Sequence, residues 1–253
     1  MADSDTGRYL YAVCRGLAPA VVEGMQGLGD APLELVHHQE LVAVVSTVPL
    51  ADFGEEGLRR NLEELSWLEP VVRMHDQVVH TVATHAPTAP MRLATICFDD
   101  TAVLARLREW YVALMHALDR VEGHAEWSVK VIAAPVAVEA PTVPATSGAD
   151  YLLRKKAAAE ERTTGDESAL AVARQVHEEL GSRASAVRQL PPQDARLSGH
   201  LGTMVLNAAY LVPVQDAEAF AARIAELAAD HPSLTVDGRG PWPPYSFAML
   251  EER

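Results

Sequence analysis

Ten histidines, two cysteines and 35 carboxylates are the groups in this 253-residue chain that could hold a metal or drive acid–base or nucleophilic chemistry. Their spacing argues against each. His75, His80 and His85 recur every five residues, and on a helix that step turns each ring about 140° from the last. Ligand pairs sharing one helix face stand closer than that. His177-Glu178-Glu179 lacks the second histidine of the zinc-protease pattern, and the adjacent His37 and His38 point to opposite sides of a strand end. All are read as exposed or core-satisfied histidines. Gly24, Gly27 and Gly29 stand in the wrong order for a dinucleotide fingerprint and follow a helix-like run rather than a strand. Neither a phosphate-binding Gly-x-x-x-x-Gly-Lys loop nor a Gly-x-Ser-x-Gly elbow occurs. Cys14 and Cys97 lie in apolar strand-like runs with no histidine partner nearby in sequence, which reads as buried reduced thiols. The chain therefore presents no catalytic residue, no cofactor-binding residue and no metal ligand set, and is not expected to be an enzyme.

Two cationic features need partners. Arg154-Lys155-Lys156 reads as a solvated helix face with Glu160 and Glu161 in reach. Arg92 falls within Met91–Phe98, read as an apolar strand, and a buried guanidinium there requires a carboxylate or carbonyls. Glu69 or Asp76 on the preceding helix would serve.

The charge balance excludes whole classes of partner. With 21 basic residues against 35 acidic ones the net charge is −14, whereas nucleic acids and anionic membranes are gripped by basic faces. Neither is expected as a partner. Apolar residues make up 49% of the chain, enough for a proper core in one large domain or two small ones. No run approaches the length of a transmembrane helix, and the acidic start of the chain shows no apolar signal segment. A soluble cytoplasmic protein is expected.

The elements that would position these residues follow from periodicity. Tyr9–Cys14, Leu33–Val36 and Leu41–Thr47 read as strands, the last apolar on both faces and so central, with a tight hairpin at 37–40 and a short helix at Ala18–Met25. A long helix follows, capped by Ser66 with Glu69, tolerating Pro70 in its first turn and carrying Leu65, Leu68, Val72, Val79 and Val82 at helical spacing. After the strand at Met91–Phe98, one helix from Asp99 or Thr101 carries Val103, Leu107, Trp110, Leu114, Leu118 and Val121 as a single stripe, ended by Gly123. Beyond it come a strand (Trp127–Val138), a Pro/Thr loop (Ala140–Gly148) and a helix over Ala149–Leu180 broken near Thr163-Thr164-Gly165. Strands at Ala184–Leu190 and Met204–Val212, a helix over Asp216–Asp230 and a strand at Leu234–Val236 complete the chain. The fold class is α+β in two domains: 1–123, with strands before long helices, and 124–253, whose strand-helix-strand-strand-helix-strand order is ferredoxin-like.

The chain closes on Gly238-Arg-Gly-Pro-Trp-Pro-Pro-Tyr-Ser-Phe247. Three prolines fix φ and hold their neighbours extended, so an extended arm presenting Trp242 and Tyr245 is expected, with no helix through it. The two rings either cover the open end of a core or line a binding surface.

This terminal segment resembles the signature of the gas vesicle GvpF/GvpL family. So do, in family order, Tyr9–Val13, Leu65-Ser-Trp-Leu-Glu-Pro-Val-Val-Arg-Met-His75, Pro90-Met-Arg-Leu-Ala-Thr95, Glu126-Trp-Ser-Val-Lys-Val131, Tyr151-Leu-Leu-Arg-Lys and Met204-Val-Leu-Asn-Ala-Ala209. The residues that carry the resemblance are Trp67, Glu69, Arg92, Trp127, Trp242, Pro243, Pro244, Tyr245 and Phe247, in structural or interface roles. Leu93-Ala94 stands where an aromatic-glycine pair is expected of the family. The resemblance implies a modified ferredoxin-like C-terminal domain and a non-enzymatic role in building gas vesicles. It implies contact with the major, hydrophobic gas vesicle shell protein and with other gas vesicle proteins, and a place in the cytoplasm or at the vesicle. A ferredoxin-like small-molecule-binding or regulatory module is the alternative. Metal analysis of protein purified without added metal is expected to find far less than one zinc or iron per chain; a stoichiometric metal would overturn the reading of the histidines.

Overall fold

A computed structural model describes residues 5–134, 148–193 and 202–248. The described chain forms two compact units, one from residues up to Glu126 together with those from Trp242 onward, the other Trp127–Pro241. The terminal arm, expected with the second domain, thus packs with the first unit.

The first unit is built on a five-stranded sheet. Its strands are β1 (Thr6–Arg15), β2 (Glu34–His38), β3 (Leu41–Pro49), β4 (Thr88–Pro90) and β5 (Ile96–Cys97). They run in the order β2-β3-β1-β4, with β5 also paired to β1. β1 and β3 are central and antiparallel, so both bury their two faces, as the unbroken apolar run of β3 predicts. A register shift between Leu10 and Ala12 makes Tyr11 a bulge residue. The bulge offsets the alternation, so that Tyr9, Tyr11, Ala12 and Cys14 all join one core cluster. α3 (Leu65–Ala83) lies over that cluster through Val71, Val78, Val79 and Val82. α4 (Asp100–Glu109) and α5 (Tyr111–Val121) also pack on the sheet.

Several local expectations change. Ala18–Met25 is a short 3-10 turn at Pro19–Val21 rather than a helix, and a second such turn spans Leu28–Asp30. The sequence between β3 and α3 holds two helices not foreseen, α1 (Leu50–Phe53) and α2 (Glu55–Asn61), too short to show a period. α3 begins from Glu64 without a side-chain cap, leaving Ser66 exposed inside the first turn. Met91–Phe98 is not a strand: only Ile96–Cys97 pairs with β1, and Ala94 takes φ +61°. Asp99 caps α4 by accepting from the Ala102 N–H at 2.8 Å, but the expected single helix breaks at Trp110 into α4 and α5.

The second unit has a four-stranded sheet of β6 (His124–Ala133), β7 (Ala186–Gln189), β8 (Thr203–Pro213) and β9 (Leu234–Trp242), ordered β7-β8-β6-β9. With α6 (Gly148–Gly181) after β6 and α7 (Ala217–Asp230) after β8, this is the ferredoxin-like succession. Trp127, Val129 and Val131 of β6 alternate into one core with Tyr210 and Val212 of β8, Val176 and Leu180 of α6, and Phe220, Ile224 and Leu227 of α7. α6 runs through Thr163-Thr164-Gly165 without the expected break. The loop expected over 140–148 lies largely outside the described residues, as do the side chains of Arg154, Lys155, Glu160 and Glu161. β9 continues through Gly238 to Trp242, where an extended arm was expected; a Cβ at Gly238 would stand 2.6 Å from Ile224.

Two buried tyrosine hydroxyls hold the irregular loops of the first unit. Tyr11 Oη accepts from the Leu28 N–H at 2.8 Å and pairs with Ser46 Oγ at 2.8 Å. Tyr9 Oη accepts from the Ala94 N–H at 3.1 Å. Gly27 packs so closely here that a Cβ would meet the Tyr11 hydroxyl at 2.4 Å. Ala94, by contrast, adopts a left-handed φ that favours glycine. The two positions give opposite expectations in urea denaturation. Gly27→Ala should cost about 2–3 kcal/mol by overpacking and loss of a buried hydrogen bond. Ala94→Gly should raise stability by up to about 1 kcal/mol through relief of backbone strain. Equal effects at both positions would contradict this account.

Candidate functional site

α3 carries two apolar stripes rather than one. Val71, His75, Val78, Val79 and Val82 face the core. Leu65, Leu68 and Val72 form a second row at i, i+3 and i+7, and Leu65 and Val72 remain 78% and 43% exposed. The sequence reading merged the two rows, because Leu65, Leu68 and Val72 also fit helical spacing with Val79 and Val82. Beside the outer row lies a groove of about 860 Å³, walled on its other side by Met91, Leu93 and Tyr245. Most of its lining is apolar. Exposed apolar surface of this kind on one helix marks a contact site more often than a core.

The start of α3 is fixed by Trp67, half-buried against Phe53 with ring centroids 5.1 Å apart, and Phe53 meets Tyr9 edge-on at 5.8 Å. The opposite wall is fixed by the chain terminus. Pro243 and Pro244 are buried and lead into one helical turn, α8 (Tyr245–Ala248), where no helix was expected. The prolines precede the turn instead of interrupting it. Buried Glu126 receives both the Ser246 N–H at 2.6 Å and the Ser246 hydroxyl at 2.7 Å. The Phe247 carbonyl accepts from Arg120 at 3.3 Å while its ring is buried. Tyr245 donates to Asp76 of α3 at 3.3 Å, and burial beside that carboxylate pushes its phenol well above the usual range. Of the two aromatic residues of the terminal stretch, Tyr245 lines the groove, whereas Trp242 stays 41% exposed.

His75 lies at the floor. It is only 4% exposed, and its Nδ1 stands 2.9 Å from the Tyr9 hydroxyl. Because Tyr9 already accepts from Ala94, its own proton goes to Nδ1; the reverse arrangement would orphan the phenol proton as well. The imidazole is then neutral with its proton on Nε2, a buried atom whose nearest acceptor is the Met91 backbone, in a geometry too poor for a full hydrogen bond. Burial pushes its pKa down to about 4, against weaker opposing pulls from Asp76 and the Met91 backbone.

The remaining sequence-singled residues separate. Glu69 lines the groove but pairs with Arg73 one turn on. Arg92 is exposed at the rim, not buried in a strand, and among the described residues it has no ion pair with Glu69 or Asp76. The burial argument fails because Met91–Phe98 is a turn-rich loop. Trp127 is buried in the core of the second unit against Phe220. Among the described residues no cluster of three His, Cys, Asp or Glu side chains is placed to hold a metal ion. Cys14 and Cys97 are both buried and unbridged, and burial pushes the Cys14 thiol up to about 12. A neutral histidine, a tyrosine-bound aspartate and an apolar wall line the groove. The Tyr9–His75 pair beneath the groove is what sequence reasoning missed; no spacing rule signals it, since the two residues lie 66 positions apart.

Comparison with known proteins follows the same geometry. The profile of the family described as gas vesicle synthesis protein GvpL/GvpF matches residues 7–249. Gas vesicle protein L of a Streptomyces species is 41% identical over 98% of this chain and 95% of its own length. Gas vesicle protein F of the same strain is 27% identical, over 94% and 98%. The crystal structure of GvpF from an Anabaena species has the same fold, with a TM-score of 0.70 at 18% identity over 98% of both chains. That of GvpF from Microcystis aeruginosa gives 0.68 at 19%, over 96% and 99%.

The buried histidine makes acid stability a test of the site. The unfolded chain has the ordinary pKa of 6.5 and takes up a proton before the folded one at about 4. Stability from neutral His75 is therefore complete above pH 6.5 and is lost as pH falls from 6.5 to 4, by about 3 kcal/mol in all. Urea denaturation across that window should show the loss for the wild type and a flatter profile for His75→Gln. Identical pH slopes would show that His75 titrates normally.

Proposed function

The chain belongs to the gas vesicle synthesis protein GvpL/GvpF family, and from that premise we propose that it binds the hydrophobic gas vesicle shell protein through the α3 groove and supports vesicle assembly. Family membership carries the gas vesicle role. The observation that supports the binding is the row Leu65, Leu68 and Val72, held in water beside a rigid apolar wall. A shell protein with a gas-facing apolar side aggregates if that side meets water, and a client covered during delivery avoids this. The net charge of −14 keeps such a carrier apart from its own copies. Other gas vesicle proteins are further partners on this reading, which is non-enzymatic.

Apolar burial contributes about 25 cal/mol per Å² and is insensitive to screening, whereas surface ion pairs fade as the Debye length shrinks. Pull-down of the shell protein should thus persist from about 0.1 to about 1 M salt, and deletion of the gene in a vesicle-forming host should abolish vesicles. Normal vesicles in the deletion strain, with no shell protein retained at either salt, would overturn the proposal.

A further inference from the structure

Independently of the shell-protein reading, we propose that a second cleft in the first unit docks an acidic, apolar-flanked segment of a protein partner, held by Arg92 and Arg106 against the ring of Phe98. The cleft, of about 450 Å³, lies between α1, α2, the 91–98 loop and Arg106 of α4. Leu50, Leu58 and Ile96 give it an apolar lining, and it shares Arg92 and Leu93 with the α3 groove. Its shape is set from the core. Tyr9 accepts from the Ala94 N–H at 3.1 Å and Ala94 is held at φ +61°, so the loop that carries Arg92 and Phe98 is fixed before anything binds.

Charge selects the occupant. Two guanidinium groups line this cleft in a chain whose acidic residues outnumber its basic ones 35 to 21. The one carboxylate among the lining residues, Glu55, is paired with Arg59 at 2.9 Å, and the neighbouring Asp99 is committed to capping α4. Arg92 is exposed with no ion pair among the described residues. Arg106 is oriented by a hydrogen bond to the Cys97 thiol and by the Trp110 ring, 5.0 Å from its guanidinium carbon. The lining therefore carries positive charge in excess, and its complement is anionic. Phe98 then narrows the class. Its ring is 77% exposed at the same cleft, and a small anion would leave it in water, so the occupant has apolar area beside its negative charge. Arginine and aromatic anchors around an apolar centre are the composition of protein contact sites. A nucleic-acid backbone or an anionic membrane brings many charges at once against the net −14 of the whole chain; a short acidic segment of a protein does not.

The test selects short peptides from a random display library on the full-length protein at about 0.1 M salt. The wild type is expected to enrich sequences in which acidic residues adjoin Leu, Ile or Phe, and a synthetic copy of the leading sequence with blocked ends should bind saturably. Its affinity should fall about tenfold with Arg92→Glu, by a comparable factor with Phe98→Ala, and again when its acidic residues are replaced by their amides. Arg92 and Phe98 are both exposed, so neither substitution should move the thermal midpoint. Binding should fade as salt rises from about 0.1 to about 1 M, whereas capture of the shell protein should not. No enrichment, enrichment of sequences lacking acidic residues, or binding that Arg92→Glu leaves unchanged would overturn the proposal. Acidic peptides that bind equally well to Phe98→Ala would reduce the cleft to a plain anion site and overturn the protein-partner assignment. Acidic peptides that bind while the shell protein is not captured at any salt would sustain this cleft and sink the shell-protein reading alone.

Discussion

Two phenol groups buried under α3 hold the first unit together. A hydroxyl out of water has to be matched on both its proton and its oxygen or the fold loses the cost of desolvating it. Tyr9 and Tyr11 meet that demand by reaching away from the sheet: Tyr11 to Leu28 and Ser46, Tyr9 to Ala94 and His75. Strand alternation puts both rings on the same side, 4.7 Å apart, and the bulge at Tyr11 lets Ala12 and Cys14 join them there. One strand thereby fixes the 24–32 loop, the 91–97 loop and the middle of α3. The groove is what is left between two of those three, so its width is set in the core and not at the surface.

The same matching explains the chain terminus. Glu126 is buried, and a carboxylate there demands donors. Ser246 supplies two, one from its backbone at the first turn of α8, where N–H groups are free and the helix end favours negative charge. That turn carries Tyr245 to Asp76 and buries Phe247. The prolines before it hold the approach extended, which removes alternative paths from the unfolded chain. Part of the far wall of the groove, at Tyr245, is therefore built by a residue more than 150 positions away in sequence from α3, and its place depends on a carboxylate that no motif marks.

How much of this was legible follows from how local each cause is. β1, β3 and the inward rows of α5 and α7 were readable, because apolar period and strand-like composition are properties of neighbouring residues. The succession of elements in the second unit was readable for the same reason. The arrangement of 91–98 was not: Met91-Arg-Leu-Ala-Thr-Ile-Cys-Phe98 has a strand's composition, yet Tyr9 captures Ala94 from the far side of the core and turns the segment. Arg92 moved from a supposed interior to the rim as a result. Ser66 failed as a cap because the helix already begins at Leu65, with the extended Glu64 in the cap position two residues earlier. The uninterrupted α6 shows the limit of weak breakers: two threonines and a glycine cost a helix little when its C-terminal half is buried through Ala173, Val176 and Leu180.

The outer row of α3 is legible in the sequence only as part of one helical stripe. Leu65, Leu68 and Val72 centre about 70° around the helix from the buried row, and a single-stripe reading absorbs them into the core because hydropathy does not say which side has a partner. What separates them is the neighbour each row meets. The inner row meets Tyr9, Tyr11 and Val44; the outer meets a wall that stops at Leu93 and Tyr245, leaving the top of the helix uncovered. A protein of net charge −14 tolerates such a strip, since like charge keeps two copies from pressing their strips together. Apolar area of this kind supplies attraction that needs no particular charge on the other surface and does not fade as salt rises.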